Sequence, residues 1–406
     1  MRAEHLSFYL SLLLSRLADQ ILLFLVPLVV YQQTQSAAWT GVAFFVETLA
    51  RFAACPVCGV LCDRRPALGL LRASQTLRAV ACVVGLLAAW TFSGHIALGV
   101  LVLVGAACGV FTTQGLIARE VMLPHIFPEA RLEKVIAHAQ IADQLGMVAG
   151  PLLAAAALAL LPWQGVLACS GVLFLVADGF LLWWQRASTA VLPTPRFNPL
   201  ERWWQPMGTA LAHIWTLPGF RGMVVVTAAV NLVLGVTLAT AAAMVTGLLQ
   251  QSTAAYATLQ TGAALATVVV LALVAHLHWR GHSMGLLSFA GVLVGGILTA
   301  IGSSYAVYAL GFLLVISFDK MFSVYIRAWR QRIIPPADFG KTSGMVILLN
   351  NLTQPLAGLA VGLGAQGADA SGVIGVLSSI AALAGLAGLW MVRTATASTT
   401  APTTSG

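Results

Sequence analysis

The apolar run SFYLSLLLSRLADQILLFLVPLVVY, residues 7–31, decides the class of fold. A helix needs about 20 apolar residues to cross the roughly 30 Å hydrocarbon core of a bilayer, and this run is longer than that. It contains Arg16, Asp19 and Gln20, and no small-residue cleavage site follows it. We therefore expect the run to remain in the protein as a first membrane span rather than to be removed as a signal peptide.

The composition extends this interpretation to the whole chain. Of 406 residues, 59% are hydrophobic and 8% are charged, whereas a soluble domain carries about 25% charged residues. The 21 Lys and Arg exceed the 13 Asp and Glu, giving a formal net charge of +8. This composition excludes a soluble enzyme and leaves room for about a dozen membrane crossings. We expect no catalytic activity, no cofactor and no nucleic-acid partner.

Long runs without charge predict an all-α polytopic membrane protein with twelve transmembrane helices. The predicted spans lie near residues 7–31, 36–61, 69–91, 96–121, 134–160, 164–185, 219–247, 253–277, 284–303, 305–329, 341–364 and 371–392. The weakest division is between the ninth and tenth spans, which only Gly302, Ser303 and Ser304 separate.

The basic residues predict the topology. They lie in alternate connections and at the end of the chain, and connections rich in Lys and Arg stay on the cytoplasmic side. We therefore expect a multi-pass protein of the cytoplasmic (inner) membrane with both termini in the cytoplasm. The residues are Arg64, Arg65, Arg131, Lys134, Arg186, Arg202, Arg280, Arg330, Arg332, Lys341 and Arg393.

The longest connection divides the chain into two halves. Residues 187–218 are rich in proline, and the Trp and basic residues between 200 and 215 predict a helix at the cytoplasmic interface. We predict an N-terminal six-helix bundle at 1–186, a cytoplasmic linker at 187–218, a C-terminal six-helix bundle at 219–393 and a disordered tail at 394–406.

The two halves also repeat each other in sequence. An Arg-x4-Pro pattern precedes the fifth span at Arg119 to Pro124 and the eleventh span at Arg330 to Pro335. Further along, Pro151 and Pro355 are expected to break these two spans. The repeat predicts two pseudo-symmetric bundles, as in transporters built from duplicated units.

Polar groups within the spans mark a candidate pathway. An ionisable side chain costs about 2.5–3.5 kcal/mol at the bilayer centre, so it needs a partner or a hydrated cavity. Glu47 and Arg51 are four residues apart, and an ion pair that only joins two helices is an equally good interpretation for them. Asp319 and Lys320 point about 100° apart on a helix and need not pair. The pathway candidates are Asp19, Gln20, Glu47, Arg51, Asp143, Gln144, Asn231, Asp319, Asn350, Asn351 and Gln354.

A carboxylate in such a cavity can bind or release a proton when its hydration changes. Asp19, Glu47, Asp143 and Asp319 are the candidates for this role, and the sequence does not rank them.

Two motifs resemble those of the major facilitator superfamily. GVLCDR at 59–64 is similar to its Gly-x-Leu-x-Asp-Arg motif between helices 2 and 3, and GMVAGP at 146–151 is similar to the Gly-x3-Gly-Pro motif of helix 5 in antiporters and exporters. The resemblance implies two six-helix bundles and a charge latch, formed by Asp63 and Arg64, that holds an inner gate between the halves. Such a latch is physically sensible, because a carboxylate at a helix end can cap a neighbouring helix N-terminus. The gating residues it implies are Gly59, Asp63, Arg64, Arg119, Gly146, Gly150 and Pro151.

The segment SRLADQ at 15–20 resembles the branch that holds enterobactin-type siderophore exporters, drug effluxers and lysophospholipid carriers. The resemblance implies proton-coupled efflux of a small amphipathic molecule, such as a siderophore or a drug, by a monomer in the bilayer. An importer of a metal chelate, a lysophospholipid flippase and a non-transporting sensor remain alternatives.

Direct metal transport is a further alternative. Cys55, Cys58 and Cys62 share one helical face, and His276, His278 and His282 cluster near one turn, and such groups bind zinc or iron. Because Pro56 interrupts the cysteines and the histidines lie in the other half, we favour packing of small apolar side chains.

Overall fold

The computed structural model describes residues 3–34, 43, 46–47, 49–127, 130–192, 205–277, 281–302, 304–353, 356–357 and 370–400. These residues form helices joined by short connections, and they contain no β-strand. They fall into two compact units. The first unit is Met1–Arg202 with Ala337–Gly344, and the second unit is Trp203–Pro336 with Met345–Gly406.

The helices of the first unit follow the predicted spans. They are α1 (Ala3–Thr34), α2 (Cys55–Arg64), α3 (Ala67–Thr91), α4 (His95–Ile126), α5 (Leu132–Leu160) and α6 (Trp163–Ala187). Leu22, Leu25, Val104 and Phe174 lie in the buried core of this unit.

The second unit begins with α7 (Gln205–Thr216), which lies where the interfacial helix is expected. The long helices are α8 (Phe220–Ala242), continued by a π-helical turn at Ala243–Leu248, α9 (Thr253–His276), α10 (Gly281–Ile301), α11 (Tyr305–Ile333) and α13 (Ala370–Thr400). Between the last two lies α12 (Phe339–Asn351), which begins in the first unit and continues into the second from Met345.

Within the described residues, ten helices are long and apolar enough to span a membrane. They correspond to ten of the twelve predicted spans. The second and eleventh predicted spans include residues outside the described ranges, and α2 and α12 are their described parts. The all-α polytopic fold class is therefore confirmed.

Prolines end several of these helices. Arg65, Leu161 and Ile334 close α2, α5 and α11, and each adopts an extended conformation directly before a proline. Proline disfavours the α conformation of the residue that precedes it, so these boundaries are local in origin.

The same helix pairs pack together in both units. In the first unit α1 packs on α6, α3 on α4 and α2 on α4, and in the second unit α8 packs on α13, α10 on α11 and α9 on α11. The turns that join the second pair in each unit, at Gly94 (φ 62°) and Gly302 (φ 44°), both need a residue that tolerates positive φ. The packing thus repeats as the sequence does.

Two expectations need correction. Helix α5 continues through Pro151 to Leu160, because the helical turns around a proline within a span are held by neighbouring helices. Helix α13 continues to Thr400, so residues 394–400 are helical instead of belonging to a disordered tail, and proline follows only at position 402. Pro355 lies outside the described residues.

Candidate functional site

Asp19 of α1 is held by two donors from other helices. Its Oδ1 accepts from the Arg78 guanidinium of α3 at 2.8 Å and from the Thr112 hydroxyl of α4 at 2.7 Å. Both side chains of the ion pair are almost fully buried, with 4% of Asp19 and 2% of Arg78 exposed. Asp19 is therefore the acceptor of a completed buried ion pair.

Arg78 was not predicted as a site residue. Its guanidinium also donates to Ser15 Oγ at 3.0 Å, to Gln75 Oε1 at 2.9 Å and to the Ser74 carbonyl at 2.9 Å, and it lies 4.4 Å from the centre of the Phe174 ring. The sequence did contain a signal for this residue, because an ionisable side chain within a span needs a partner.

Asp143 of α5 forms a second pair. Both of its oxygens accept from the Arg119 guanidinium of α4 at 2.8 Å, in the bidentate geometry that favours arginine. Arg119 is 5% exposed and Asp143 is 21% exposed, so the pair lies at the accessible side of the cluster. Gln144 beside it is buried. The resemblance placed Arg119 at the gate, whereas its partner here is a pathway candidate.

Glu47 differs from these aspartates. It is 1% exposed, and its Oε2 is buried with no hydrogen-bond partner in the structure. A Cβ added to Gly105 of α4 would lie 3.4 Å from the Glu47 Cδ, so a glycine provides the space that the carboxyl group occupies. The charges that act on Glu47 are Arg51, on the next turn of its own helix, and Asp19 of α1.

These groups form one charged cluster in the first unit. It comprises Arg16, Asp19, Glu47, Arg51, Arg78, Arg119 and Asp143, contributed by five helical segments. Four of the eleven pathway candidates, Asp19, Glu47, Arg51 and Asp143, are thus brought together. The cluster can exchange a proton or bind a charged group, because it concentrates ionisable side chains away from water.

The two glycines of the helix 5 motif bring α1 close to α5. Gly146 lies against the Arg16 side chain, and a Cβ there would approach Arg16 Cγ to 2.9 Å. A Cβ at Gly150 would collide with the Cβ of the buried Gln20. The motif positions the pathway face of α1, and Pro151 follows within the same helix.

We expect Gly150→Ala to destabilise the protein by about 1–3 kcal/mol, because the added methyl group overlaps Gln20 and its backbone. The measurement is the thermal unfolding midpoint of purified protein. Gly179→Ala is the matched control, since nothing lies within 4 Å of a Cβ at that helical position. Equal midpoints for the two variants would contradict the close contact.

Asp63 lies at the end of α2 and caps α12. Its Oδ1 accepts from the Gly340 N–H at 2.7 Å and its Oδ2 from the Lys341 N–H at 2.8 Å. The carboxylate therefore faces the positive end of a helix. Gly59 lies one turn earlier, against the Gly340 backbone. Arg64 follows Asp63 and also has an interacting partner.

The candidates of the second unit are less concentrated. Asn231 donates to the Thr227 carbonyl of its own helix at 2.9 Å. Asp319 accepts from Lys320 at 2.8 Å, so the two neighbours do pair, because the lysine stem is long enough to turn back. Asn350 is 6% exposed and its Oδ1 has no hydrogen-bond partner, whereas Asn351 is half-buried. Gln354 lies outside the described residues.

The cysteine face packs on α4. Cys58 Sγ donates to the Val110 carbonyl at 3.9 Å, and Cys62 accepts from Gln114 Nε2 at 3.0 Å. Among the residues that the structure describes, no three His, Cys, Asp or Glu side chains are grouped to hold a metal ion. His278 lies outside those residues.

A multi-pass bundle of apolar helices around buried charges defines a membrane transporter, and comparisons with known proteins agree. A family model described as Major Facilitator Superfamily matches residues 8–326. The chain belongs to this superfamily. No curated protein sequence matches the chain.

Several solved structures share the fold. A bacterial homologue of the iron transporter ferroportin, in an outward-facing state, superposes with a TM-score of 0.74 at 20% identity, covering 97% of this chain and 100% of the other. The human organic anion transporter MFSD10 (TETRAN) gives 0.76 at 15% identity, with 96% and 100% covered. The proton:xylose symporter XylE gives 0.72 at 13% identity, with 96% and 95% covered. At these identities the likeness concerns the fold.

Proposed function

We propose that the protein exports a small amphipathic organic molecule, such as a metal chelator or a drug, in exchange for protons. It acts in the cytoplasmic membrane with both termini in the cytoplasm, and Glu47 is the proton carrier. The observation that carries this proposal is the buried Glu47 carboxyl group, one oxygen of which has no hydrogen-bond partner among the described residues.

Four other carboxylates of the spans are less well suited to carry a proton. Asp19, Asp143, Asp178 and Asp319 each accept a hydrogen bond from an arginine or a lysine at 2.8–3.1 Å. Each of these four carboxylates is therefore already engaged by a cationic donor. Glu47 is more deeply buried than these four, and within the described residues its Oε2 accepts no hydrogen bond. Because burial of a charge without a partner is costly, Glu47 is the best placed of the five to carry a proton.

A proton on Glu47 changes the charge of the cluster by one unit. Arg51 and Asp19 are the charges that act on it, and Gly105 and Gly109 of α4 lie against this part of the helix. Glu47 would bind a proton from the periplasmic side, and this would return the carrier to its inward-facing state after each molecule is exported. Release of the proton to the cytoplasm would then complete the cycle. Rocking of duplicated bundles around a fixed site is the usual means of alternating access.

The first experiment identifies the direction and the cargo. Cells and spent medium of a deletion strain and its parent are compared by mass spectrometry, with and without scarce metal. A molecule that is retained in the deletion cells and missing from the medium supports export. Normal secretion of a chelator together with reduced metal uptake would instead establish import, and retention of a lysophospholipid would establish a flippase.

The Glu47→Gln substitution tests proton coupling. We expect proteoliposomes with this variant to lose uphill transport of the retained molecule under an imposed pH gradient, because the amide cannot ionise. Exchange of labelled for unlabelled cargo at equal pH should persist. Glu133→Gln is the matched control, since Glu133 lies in the first turn of α5 outside the cluster. Normal uphill transport by Glu47→Gln would refute Glu47 as the proton carrier.

A further inference from the structure

We infer that the Arg16 guanidinium binds an organic anion, so that the exported molecule carries a carboxylate or a similar acidic group. This inference rests on the proposed function, because it names the chemical class of the cargo. Arg16 lies one turn before Asp19 on α1 and is not among the pathway candidates predicted from the sequence.

Among the residues that the structure describes, no hydrogen bond or ion pair joins Arg16 to a partner. Its Nε is buried and has no hydrogen-bond acceptor. Two other arginines of the cluster differ, since Arg78 is paired with Asp19 and Arg119 with Asp143. An arginine within a span is costly, and buried polar groups are nearly always hydrogen-bonded. An unpaired guanidinium therefore indicates that its partner is a ligand.

The surrounding charges favour an anion. Asp143 and Asp19 attract Arg16, whereas Arg51 and Arg119 repel it. Both aspartates are already neutralised by their own arginines, so Arg16, Arg51 and Glu47 are left. Their sum is one positive charge when Glu47 is ionised and two when it carries a proton. A bound anion would neutralise that excess, and a cation would add to it. The planar guanidinium also binds carboxylates through two parallel hydrogen bonds.

The position of Arg16 suits a binding group. The residue is half-buried, and so is Asp143, so that this side of the cluster is open while Asp19 and Arg78 are closed off. Gly146 of α5 packs against the Arg16 stem, and a side chain at Gly146 would displace it. The glycine motif thus fixes the guanidinium at the accessible side of the cluster.

Export of an anion agrees with the coupling proposed above. With the cytoplasm negative, the membrane potential drives an anion outward and a proton inward. The outward movement of the anion and the inward movement of the proton are then both favoured by the membrane potential.

Ligand binding to purified protein tests this inference without any gradient. The probes are naphthoate, methyl naphthoate and naphthylmethylamine, which share an apolar ring system and differ in charge. We expect naphthoate at millimolar concentration to raise the Tm of the wild type and of Arg65→Gln, and to leave the Tm of Arg16→Gln unchanged. Arg65 is an exposed arginine of the same unit, so its variant loses the same charge elsewhere.

Three outcomes would overturn the inference: equal stabilisation by the ester or the amine, a naphthoate response of Arg16→Gln equal to that of the wild type, or no response of the wild type. A normal naphthoate response combined with failure of pH-driven transport would instead refute the proposed function alone.

The Tm without ligand separates a binding role from a structural one. Because Arg16 has no partner to lose, we expect Arg16→Gln to unfold at the same temperature as the wild type or at a higher one, as is usual when a functional group is removed. A clear decrease in Tm would show that Arg16 stabilises the fold and would overturn the inference. Arg16→Lys, which retains the charge, should keep part of the naphthoate response.

Discussion

Replacement of Arg78 by glutamine is expected to destabilise the protein by about 3–5 kcal/mol, the usual cost of leaving a buried charge without its partner. The substitution removes the ion pair to Asp19 and the hydrogen bonds to Ser15 and to Gln75. It also removes the cation from the Phe174 ring. We expect low yield and a strongly lowered thermal unfolding midpoint in detergent.

A double-mutant cycle checks the cause of this effect. If the loss arises from an uncompensated Asp19 charge, Asp19→Asn combined with Arg78→Gln should be more stable than Arg78→Gln alone. Arg65→Gln, an exposed arginine of the same unit, should unfold near the wild-type midpoint. A small effect of Arg78→Gln would show that the ion pair contributes little and that Asp19 is free to serve as a proton carrier.

Most of the fold could be predicted because its causes are local. The length and hydropathy of each run define a span, and prolines at 66, 162 and 335 end the helices that precede them. The weakest predicted division, at Gly302, is a real turn because glycine tolerates its positive φ. The helical tail to Thr400 was missed because alanine and threonine continue a helix where no breaker follows.

The candidate site could be predicted only in part, because its pairs join distant residues. The rule that ionisable groups within spans are functional correctly directed attention to Asp19 and Glu47, and the same rule applied to α3 would have identified Arg78. No spacing rule relates Asp19 to Arg78 or Arg119 to Asp143, since these pairs lie on different helices. The 100° between adjacent residues on a helix suggested that Asp319 and Lys320 need not pair, yet Lys320 donates to Asp319.

The Asp63 cap on the N-terminus of α12 could be predicted from the sequence motif only in part. The resemblance implied a latch that involves Asp63, and a carboxylate at a helix end can cap a neighbouring helix, but the sequence did not say which one. The donors of the two hydrogen bonds to this carboxylate are the backbone N–H groups of Gly340 and Lys341, which carry no side-chain signal in a sequence. The structure also shows that α2 and α12 meet at glycines, and this close contact brings Asp63 within reach of the α12 N-terminus.

Gly59, Gly340 and Gly344 allow the backbones of α2 and α12 to touch. A Cβ at Gly59 would meet the carbonyl oxygen of Gly340, and one at Gly344 would meet the carbonyl oxygen of Cys55. Small residues four apart are typical of such close helix contacts in membranes. Since the obstacle is backbone, it cannot move aside by a change of rotamer, and a larger residue must separate the helices.

We therefore expect Gly59→Leu to separate α2 from the start of α12 and to break both hydrogen bonds to Asp63. Overpacking costs about 1–3 kcal/mol, which corresponds to a shift of roughly 5- to 150-fold in the population of the separated state. Within the described chain Cys169 is exposed and the other five cysteines are buried, so a Cys169→Ser background has little reactive thiol. The measurement is the rate of maleimide labelling in that background, which should rise strongly in Gly59→Leu.

Two further variants decide whether the contact itself is responsible. Gly69→Leu introduces the same side chain on α3, where nothing lies within 4 Å of a Cβ, and should leave labelling slow. Asp63→Asn keeps the glycine contact and weakens the cap, which is worth about 0.5–2 kcal/mol at a helix N-terminus, so its labelling rate should lie between the two. Equal rates for Gly59→Leu and Gly69→Leu would mean that α2 and α12 are not held together by this contact, and the gating role of Asp63 would then lose its physical basis.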